Sequence, residues 1–358
     1  MKFLIVKTSS IGDVIQTFPV VDVLKSKFPT CRIDWVVEKG IAPLLRAHPD
    51  IHNVFEVDTK RWRKSLFKSL GAIGSFKREI RRIRYDAIFD LQGNSKSGMI
   101  NLFARGKKKV GYDWDSVAEK PNYLTTNVHF PCQNEGSVRF RYLQLVESHF
   151  GEKLPRLNKE LVLQLSEQES ALLERFSLFG VYRPRLMICF GSNWPNKQLS
   201  EHTLVEFLKL VQEKLSPEFI FVYGNQIEKE QADRFERVFT KTSITVGRMS
   251  LPLWQRFMSV VEGVIAMDSA ALHLCGTTST PSFSLFGPSS ALAYKPSGDN
   301  HEAFQGKCPY GIEFTKRCPS LRTCKTGACL KDVSPQALFD QFSIFWSRVS
   351  KSTLASTK

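Results

Sequence analysis

The sequence lacks both the long apolar runs of a membrane-spanning protein and the glycine-rich loops of the commonest nucleotide-binding folds. No apolar stretch among its 358 residues approaches the roughly 18–20 residues needed to cross a bilayer. The first seven residues, MKFLIVK, return to charge too soon for a secretory signal. Neither G-x-G-x-x-G nor G-x-x-x-x-G-K-S/T occurs, which removes the main support for a dehydrogenase or a P-loop enzyme.

Acidic residues are scarce relative to basic ones. The chain has 35 Asp and Glu against 50 Lys and Arg, which gives a net charge of +15 and a pI near 9.5. This surplus predicts an acidic partner: nucleic acid, an anionic membrane face or a phosphorylated substrate. The 42% hydrophobic and 24% charged residues are typical of a globular protein with a packed core.

The eight cysteines fall into two groups. The scattered group comprises Cys31, Cys132, Cys189 and Cys275, which we interpret as small buried apolar residues. The clustered group comprises Cys308, Cys318, Cys324 and Cys329. Its spacing, C-x9-C-x5-C-x4-C, matches no standard zinc pattern. Free thiols in a reducing compartment are therefore the expectation, and a metal held by the clustered group is the alternative.

Predicted strands and helices alternate along most of the chain. Apolar runs predict strands at 3–6, 33–37, 54–57, 87–91, 186–190, 219–223, 264–267 and 282–286. Helical periodicity predicts helices at 14–26, 43–47, 77–84, 201–215, 226–239, 253–261, 270–275 and 335–349. This alternation predicts an α/β fold with parallel sheets. We predict domains at 1–170 and 171–334, and a C-terminal helix and tail at 335–358 that packs back toward the first domain.

The first polar turn follows the first predicted strand and contains Ser10, Gly12 and Asp13. Ligands of doubly wound sheets bind beyond the carboxyl ends of the strands, so this turn lies where a substrate is expected. A carboxylate at the start of a helix can simply cap that helix. Asp13 can equally be a general base that takes a proton from an acceptor hydroxyl. The residues leave both roles open.

Two further turns follow strands of the second predicted domain. Gly191-Ser192-Asn193-Trp194-Pro195-Asn196-Lys197 combines small hydroxyl and amide side chains with a lysine, which suits a phosphate; a solvated polar loop is the alternative. Met267-Asp268-Ser269-Ala270 leads into a helix whose free amides could hold a diphosphate. Asp268 either caps this helix or accepts a hydrogen bond from a ligand hydroxyl. His273, one turn further on, is either a ligand contact or a packed structural residue.

A basic segment lies between residues 60 and 84. Its cations are Lys60, Arg61, Arg63, Lys64, Lys68, Lys77, Arg78, Arg81, Arg82 and Arg84. Aromatic residues that could stack on bases are few in it, namely Trp62, Phe67 and Phe76. Apolar residues interleave with the cations as in a membrane-surface segment. We therefore favour an anionic membrane as the partner, and a solvated basic face is the alternative.

Seven short segments, taken in order along the chain, carry a family resemblance. They are Lys7–Val14 (KTSSIGDV), Asp34–Glu38 (DWVVE), Arg61–Lys64 (RWRK), Tyr85–Gly93 (YDAIFDLQG), Gly247–Leu251 (GRMSL), Asp268–Leu274 (DSAALHL) and Phe286–Pro288 (FGP). Together they resemble glycosyltransferase family 9, and within it the lipopolysaccharide heptosyltransferases I. The resemblance runs from residue 1 to about 345. It implies the GT-B fold, in which two Rossmann-like doubly wound domains face each other across a central cleft.

The resemblance also implies a reaction: inverting, metal-independent transfer of L-glycero-D-manno-heptose from ADP-heptose to the Kdo of lipid A. Asp13 matches the general base. Lys197 matches the lysine facing the donor diphosphate, where a cation offsets charge on the ADP leaving group. The donor-binding positions that carry over are Ser192, Asn193, Glu228, Met249, Asp268, Ser269, Ala270 and His273. The acceptor-binding positions are Ser10, Gly12, Arg61, Arg63, Lys64 and Lys96.

The partners that the resemblance implies are ADP-heptose, Kdo-lipid A and the anionic inner-membrane surface, without nucleic acid, metal or cofactor. We expect a monomer on the cytoplasmic face of a Gram-negative inner membrane. Two motifs depart from the family pattern. Phe190-Gly191-Ser192-Asn193 replaces the typical His-Ala-Thr-Thr, and Asp268-Ser269-Ala270 replaces Asp-Thr-Gly. The alternatives are therefore a family 9 glycosyltransferase that uses another sugar donor or a protein acceptor, and a non-catalytic protein that binds polyanions or anionic lipids.

Overall fold

In the computed structural model, which describes residues 1–133, 136–155, 160–177 and 183–356, the chain divides into two units. The first unit is Met1–Gln164 and the second begins at Leu165, a few residues before the predicted boundary. Each unit is built on one parallel six-stranded sheet. Within the described ranges, no helix combines the length and the apolar character that crossing a membrane requires.

Strands and helices alternate in the first unit. Its strands are β1 (Lys2–Val6), β2 (Arg32–Glu38), β3 (Asn53–Val57), β4 (Arg84–Asp90), β5 (Arg105–Tyr112) and β6 (Val128–Phe130). Its helices are α1 (Ile11–Ile15), α2 (Phe18–Lys27), α3 (Ala42–Arg46), α4 (Thr59–Lys64), α5 (Leu66–Ile80), α6 (Ser95–Phe103), α7 (Lys120–Tyr123) and α8 (Val138–Phe150). The strand order is β3-β2-β1-β4-β5-β6, and neighbouring strands are parallel. This is the order of a Rossmann-like sheet, whose topological switch point lies between β1 and β4.

The central strands of this sheet are apolar because both of their faces are covered. In β1 the run Phe3–Val6 is buried, and β2 and β4 are buried along most of their lengths. A continuous apolar run, rather than an alternating one, is typical of a parallel strand with helices on both sides. The runs at 3–6, 33–37 and 87–91 therefore predicted these strands to within a few residues.

Two predicted helices of the first unit differ from the structure. The helix at 14–26 is two helices, α1 and α2. Pro19 lies in the first turn of α2, where a residue without an N–H group is tolerated, but it cannot continue a helix that began earlier. The basic helix at 77–84 is the end of the longer α5, which begins at Leu66, while Arg84 already belongs to β4.

The second unit repeats the same plan. Its strands are β7 (Arg185–Cys189), β8 (Glu218–Tyr223), β9 (Ser243–Gly247), β10 (Gly263–Met267), β11 (Ser282–Phe286) and β12 (His301–Gln305). Its helices are α9 (Glu167–Ser177), α10 (Glu201–Leu215), α11 (Gln226–Val238), α12 (Leu251–Met258), α13 (Ala270–Cys275), α14 (Ala291–Tyr294), α15 (Ala328–Lys331) and α16 (Pro335–Ser356). The strand order is β12-β11-β10-β7-β8-β9, again with parallel neighbours. The switch point lies between β7 and β10.

The C-terminal helix α16 belongs to the second unit. Its buried side chains Leu338, Phe342 and Phe345 join the core beneath α10 and β11. The Phe342 ring lies 5.8 Å from that of Phe207 and 5.4 Å from that of Phe283, measured between centroids. The apolar stripe of this helix therefore completes an apolar surface of the second unit. That the helix and tail at 335–358 pack back toward the first domain stays a prediction.

Candidate active site

In the second unit, the turns after β7 and β10 lie side by side because these two strands are paired. Both turns begin where the strands end, at the switch point that binds ligands in doubly wound sheets. The turn after β7 leads to a short 3-10 segment, Pro195–Lys197. The turn after β10 leads to α13 (Ala270–Cys275). The topology therefore brings Lys197 and Asp268, which are far apart in sequence, to one edge of the sheet.

Lys197 and Asp268 form a buried ion pair. The ammonium group of Lys197 donates a hydrogen bond to the Asp268 carboxylate, and the two side chains are 8% and 6% exposed. The hydroxyl of Ser289, which is fully buried after β11, donates to the same carboxylate oxygen. A buried charge pair is costly unless further hydrogen bonds satisfy it, and Ser289 supplies one.

The charge of Asp268 is set by its neighbours. Burial acts to raise the pKa of Asp268. The positive charge of Lys197, followed by that of His273 and by the hydrogen bonds, outweighs burial, so the pKa of Asp268 lies below its ordinary value. Asp268 is therefore an ionised anchor for the Lys197 ammonium, and His273 is close enough to take part in the same electrostatic group.

The remaining residues of the turn after β10 lie beside this pair. Ser269 precedes the first residue of α13 in an extended conformation, and its side chain does not cap the helix. Ser269 and Ala270 are half-buried, whereas His273 is buried on α13. The structure thus places Asp268, Ser269, Ala270 and His273 in one short stretch, as the sequence predicts.

The turn after β7 is held by its own polar groups. The carbonyl of Ser192 accepts a hydrogen bond of 2.7 Å from the Gln198 amide, and its hydroxyl accepts one of 3.4 Å from the Trp194 N–H. Asn193 is exposed. Ser192 and Asn193 therefore lie on the same turn as Lys197, near the end of β7.

Glu228 lies against the start of the same turn. Its carboxylate accepts a hydrogen bond of 2.7 Å from the Gly224 N–H. A Cβ atom on Gly191 would lie 2.4 Å from Glu228 Oε1, so a side chain at this position would displace the carboxylate. Sequence reasoning placed Glu228 at the donor ribose through the resemblance but did not find its contact with Gly191.

Met249 lies two residues after the end of β9 and is half-buried. The strand reaches it through Gly247, where a Cβ atom would overlap the Tyr223 ring at 2.1 Å. Arg248 then turns the chain with a φ of 53°, in the left-handed region. Met249 thus lies at the carboxyl edge of the sheet, beyond the strand next to β8.

In the first unit, Asp13 occupies the first turn of α1 and is half-buried. Its carboxylate accepts hydrogen bonds from the Ser10 N–H at 3.1 Å and from the Ser10 hydroxyl at 2.7 Å. This arrangement satisfies the helix start. The capping role that the sequence left open is therefore present, and it holds the carboxylate at the carboxyl end of β1. Gly12, half-buried, lies between the two residues.

A residue that the sequence analysis did not single out joins this turn to β4. The side-chain carbonyl of Gln92, just after β4, accepts hydrogen bonds from the N–H groups of Thr8 and Ser9 at 3.1 and 3.3 Å. The buried Lys7 donates to the Leu91 carbonyl at 3.4 Å. These bonds cross the switch point between β1 and β4, and they fix the loop that carries Asp13. The Gln92-Gly93 segment of the family resemblance was the available signal.

The acceptor-binding candidates lie on helices that follow β3 and β4. Arg61, Arg63 and Lys64 are exposed on α4, and Lys96 is half-buried on α6. Because α1, α4 and α6 all start at the carboxyl ends of strands of one parallel sheet, Ser10, Gly12 and these four cations share one edge of the unit.

The four clustered cysteines line one cavity of about 510 Å³, together with Tyr310, Phe314 and Leu321. The described residues contain no group of three or more His, Cys, Asp or Glu side chains arranged to hold a metal ion. The loop does contact the Lys197 turn: the Asn196 amide donates to the carbonyls of Leu321 and Cys324 at 3.0 and 2.8 Å. Its structural effect is therefore to support that turn.

The sequence profile of glycosyltransferase family 9 (heptosyltransferase) matches residues 73–323. The chain belongs to this family. It is 28% identical over 290 residues to lipopolysaccharide heptosyltransferase 1 of Pseudomonas aeruginosa, covering 80% of this chain and 79% of that protein. The solved structure of E. coli heptosyltransferase WaaC with ADP-2-deoxy-2-fluoro heptose is 25% identical with a TM-score of 0.72, covering 86% and 94%. A family 9 glycosyltransferase from Veillonella parvula has a TM-score of 0.80 at 15% identity, covering 97% of each chain.

These comparisons confirm two predictions. The family that the seven segments indicated is the family of this chain, which is therefore a glycosyltransferase. The α/β fold with a Rossmann-like sheet in each half, predicted as GT-B, is also confirmed. The roles of the individual site residues stay predictions.

Proposed function

We propose that this family 9 glycosyltransferase transfers L-glycero-D-manno-heptose from ADP-heptose to the Kdo of lipid A, in synthesis of the lipopolysaccharide inner core. The observation that carries the proposal is the buried Lys197–Asp268 pair with Ser289 at the switch point of the second unit. A lysine held there by an ionised carboxylate provides a fixed cation where a nucleotide diphosphate is expected to bind. The choice of ADP-heptose as the donor rests on the resemblance of the surrounding segments to heptosyltransferases.

In this proposal the second unit binds the donor. Ser192, Asn193 and the Asp268–Ala270 turn contact the phosphates and the sugar, while Glu228 binds the ribose and Met249 lines the adenine pocket. When the bond between the heptose anomeric carbon and the β-phosphate oxygen breaks, its electron pair passes to ADP. The Lys197 ammonium offsets the charge that develops on that leaving group.

The first unit binds and activates the acceptor. A Kdo hydroxyl attacks the anomeric carbon from the face opposite to ADP, which inverts its configuration. The hydroxyl proton passes to the Asp13 carboxylate, which Ser10 holds at the end of β1. The cations of α4 and Lys96 bind the acidic groups of the acceptor. We place this reaction on the cytoplasmic face of the inner membrane, where the lipid-linked acceptor is available.

The direct test is release of ADP from ADP-heptose in the presence of Kdo-lipid A, with mass spectrometry of the product. We expect Asp13→Asn and Lys197→Met each to lower kcat by roughly 100-fold or more, because each removes an interaction made in the transition state. Lys209→Met, which alters an exposed lysine of α10 paired with Glu206, is the matched control and keeps its activity.

Full turnover by Asp13→Asn would exclude Asp13 as the base. Product carrying another sugar, when several nucleotide sugars are offered together, would identify a different donor. Failure of ADP to bind the wild-type protein in calorimetry would leave a non-catalytic binder as the better explanation.

A further inference from the structure

Helix α5 has two faces of opposite exposure. One face carries Ser69, Ile73, Phe76 and Ile80, which follow helical spacing and are buried or half-buried. The three apolar members pack on the core of the first unit, beside Trp62. This face fixes the helix on the unit and turns the opposite face to solvent.

The solvent face of α5 is apolar. Phe67 is 89% exposed and Leu70 is 56% exposed. Gly71 and Gly74 continue the same stripe, four and seven residues after Phe67. A Cβ atom on either glycine would meet nothing within 4 Å, so no close contact within the chain requires a glycine there. We name these four residues the α5 stripe. Large apolar side chains exposed together mark an interaction surface.

Cations border the α5 stripe. The exposed ones on α4, on α5 and on the turn that follows it are Lys60, Arg61, Arg63, Lys64, Lys68, Lys77, Arg78, Arg81 and Arg82. Glu79 is the only acidic residue between positions 60 and 84. The positive charge of this border is complementary to an anionic surface and repels a cationic one.

We propose that the α5 stripe docks on an anionic phospholipid bilayer. Its apolar side chains enter the headgroup region while the bordering cations contact lipid phosphates, as in interfacial amphipathic helices. Single-stranded nucleic acid fits this surface less well, because it requires stacking platforms. Of the three aromatic residues in the basic segment, Trp62 and Phe76 are buried, so that only Phe67 is exposed.

This inference rests on the proposed function, in which the acceptor is itself a membrane lipid. The acceptor candidates Arg61, Arg63 and Lys64 lie on α4, which directly precedes α5 and packs against it. A bilayer that receives the α5 stripe therefore brings lipid headgroups to the helix that is expected to bind the acceptor.

The test is flotation of the full chain with vesicles of phosphatidylglycerol and phosphatidylethanolamine that contain no lipopolysaccharide. We expect Phe67→Ser/Leu70→Ser to lower partitioning by about tenfold or more, because two apolar side chains no longer enter the interface. The matched control, Val238→Ser/Ile344→Ser, removes apolar side chains that are 50% and 74% exposed in the second unit, and it floats like wild type. Neither wild type nor the control floats with purely zwitterionic vesicles.

A second assay separates this inference from the proposed function. With a water-soluble Kdo acceptor that lacks acyl chains, we expect the α5 stripe variant to keep the wild-type kcat/KM, which also shows that it is folded. Absence of turnover by wild type would contradict the proposed function, while flotation would still decide the docking surface. Flotation of the variant equal to wild type would overturn the inference, as would tighter binding of single-stranded RNA than of vesicles.

Discussion

At the scale of single residues, the strongest feature is the group formed by Lys197, Asp268 and Ser289. The two charged residues are predictable from the sequence because each follows an apolar strand and matches a position of the family resemblance. Their ion pair is not, since it depends on the pairing of β7 with β10. Ser289 lies outside the polar turns and family segments that the sequence predicts to form the site. Its role requires β11 to lie beside β10, which spacing along the chain does not reveal.

We expect Ser289→Ala to lower kcat by roughly tenfold, because the Asp268 carboxylate loses a hydrogen bond and holds Lys197 less firmly. The measurement is steady-state ADP release together with urea unfolding. Ser284→Ala is the matched control, because its buried hydroxyl donates to the Glu302 carbonyl at 2.9 Å. Both variants should lose about 1 kcal/mol of stability, and only Ser289→Ala should lose activity. Equal kcat values for the two would show that Ser289 has no positioning role.

At the scale of secondary structure, strands in the middle of each sheet were predictable and strands with polar sequences were not. β7 and β10 are nearly continuous apolar runs, as buried parallel strands require, and β11 (SFSLF) is buried along its whole length. β5 (RGKKKVGY) carries charges on exposed positions, and β12 (HEAFQ) is mostly polar and only partly buried, so their sequences resemble loops. Their strand structure comes from pairing with neighbours that are already in place.

Helix α5 illustrates the same limit and offers a test. Gly71 and Gly74 weaken its helical signal, and neither has a neighbour that a Cβ atom would touch. We expect Gly71→Ala and Gly74→Ala each to raise the free energy of unfolding by roughly 0.5–1 kcal/mol, since alanine loses less backbone entropy than glycine in a helix. Urea unfolding measures this change.

A third substitution is the control for that experiment. At Gly106 a Cβ atom would lie 2.7 Å from the Ile88 side chain, so Gly106→Ala should be destabilising. A destabilised Gly74→Ala would mean that α5 packs against something at that position.

At the scale of the whole molecule, the two units share one topology but differ in what their switch points carry. The first has a carboxylate on the same sheet edge as the exposed cations of α4, and the second has a buried ion pair. The sequence predicted the two α/β units because strands and helices alternate through both. It did not identify the core that receives α16, because an apolar stripe shows that a helix packs without showing against which elements.

The stability of the molecule should depend on pH through His48 in the first unit. Burial lowers the pKa of His48 to about 4, and Asp50 opposes the shift only in part. The ordinary value is 6.5, so the unfolded chain binds a proton in this window while the folded chain does not. The contribution of His48 to the free energy of unfolding is therefore fully present above pH 6.5. It falls as the pH drops toward 4, by about 1.4 kcal/mol per pH unit.

Urea unfolding at about pH 7 and about pH 5 measures this dependence. In the wild type, the Asp50 N–H donates a hydrogen bond of 3.2 Å to His48 Nδ1. The substitution His48→Asn keeps an acceptor for this N–H group. We expect the variant to lose less stability than wild type between the two conditions, because it has no group to protonate in that range. Identical losses would show that other groups dominate acid unfolding.

The hydrogen bonds of Asn196 link the turn that carries Lys197 to the loop that contains the clustered cysteines. The residue next to Lys197 is bound to the backbone at Leu321 and Cys324, and Cys324 is half-exposed. Alkylation or oxidation of that thiol would therefore disturb the two hydrogen bonds that hold the turn carrying Lys197. Under the role proposed for Lys197, protein handled without reductant should then turn over at an altered rate.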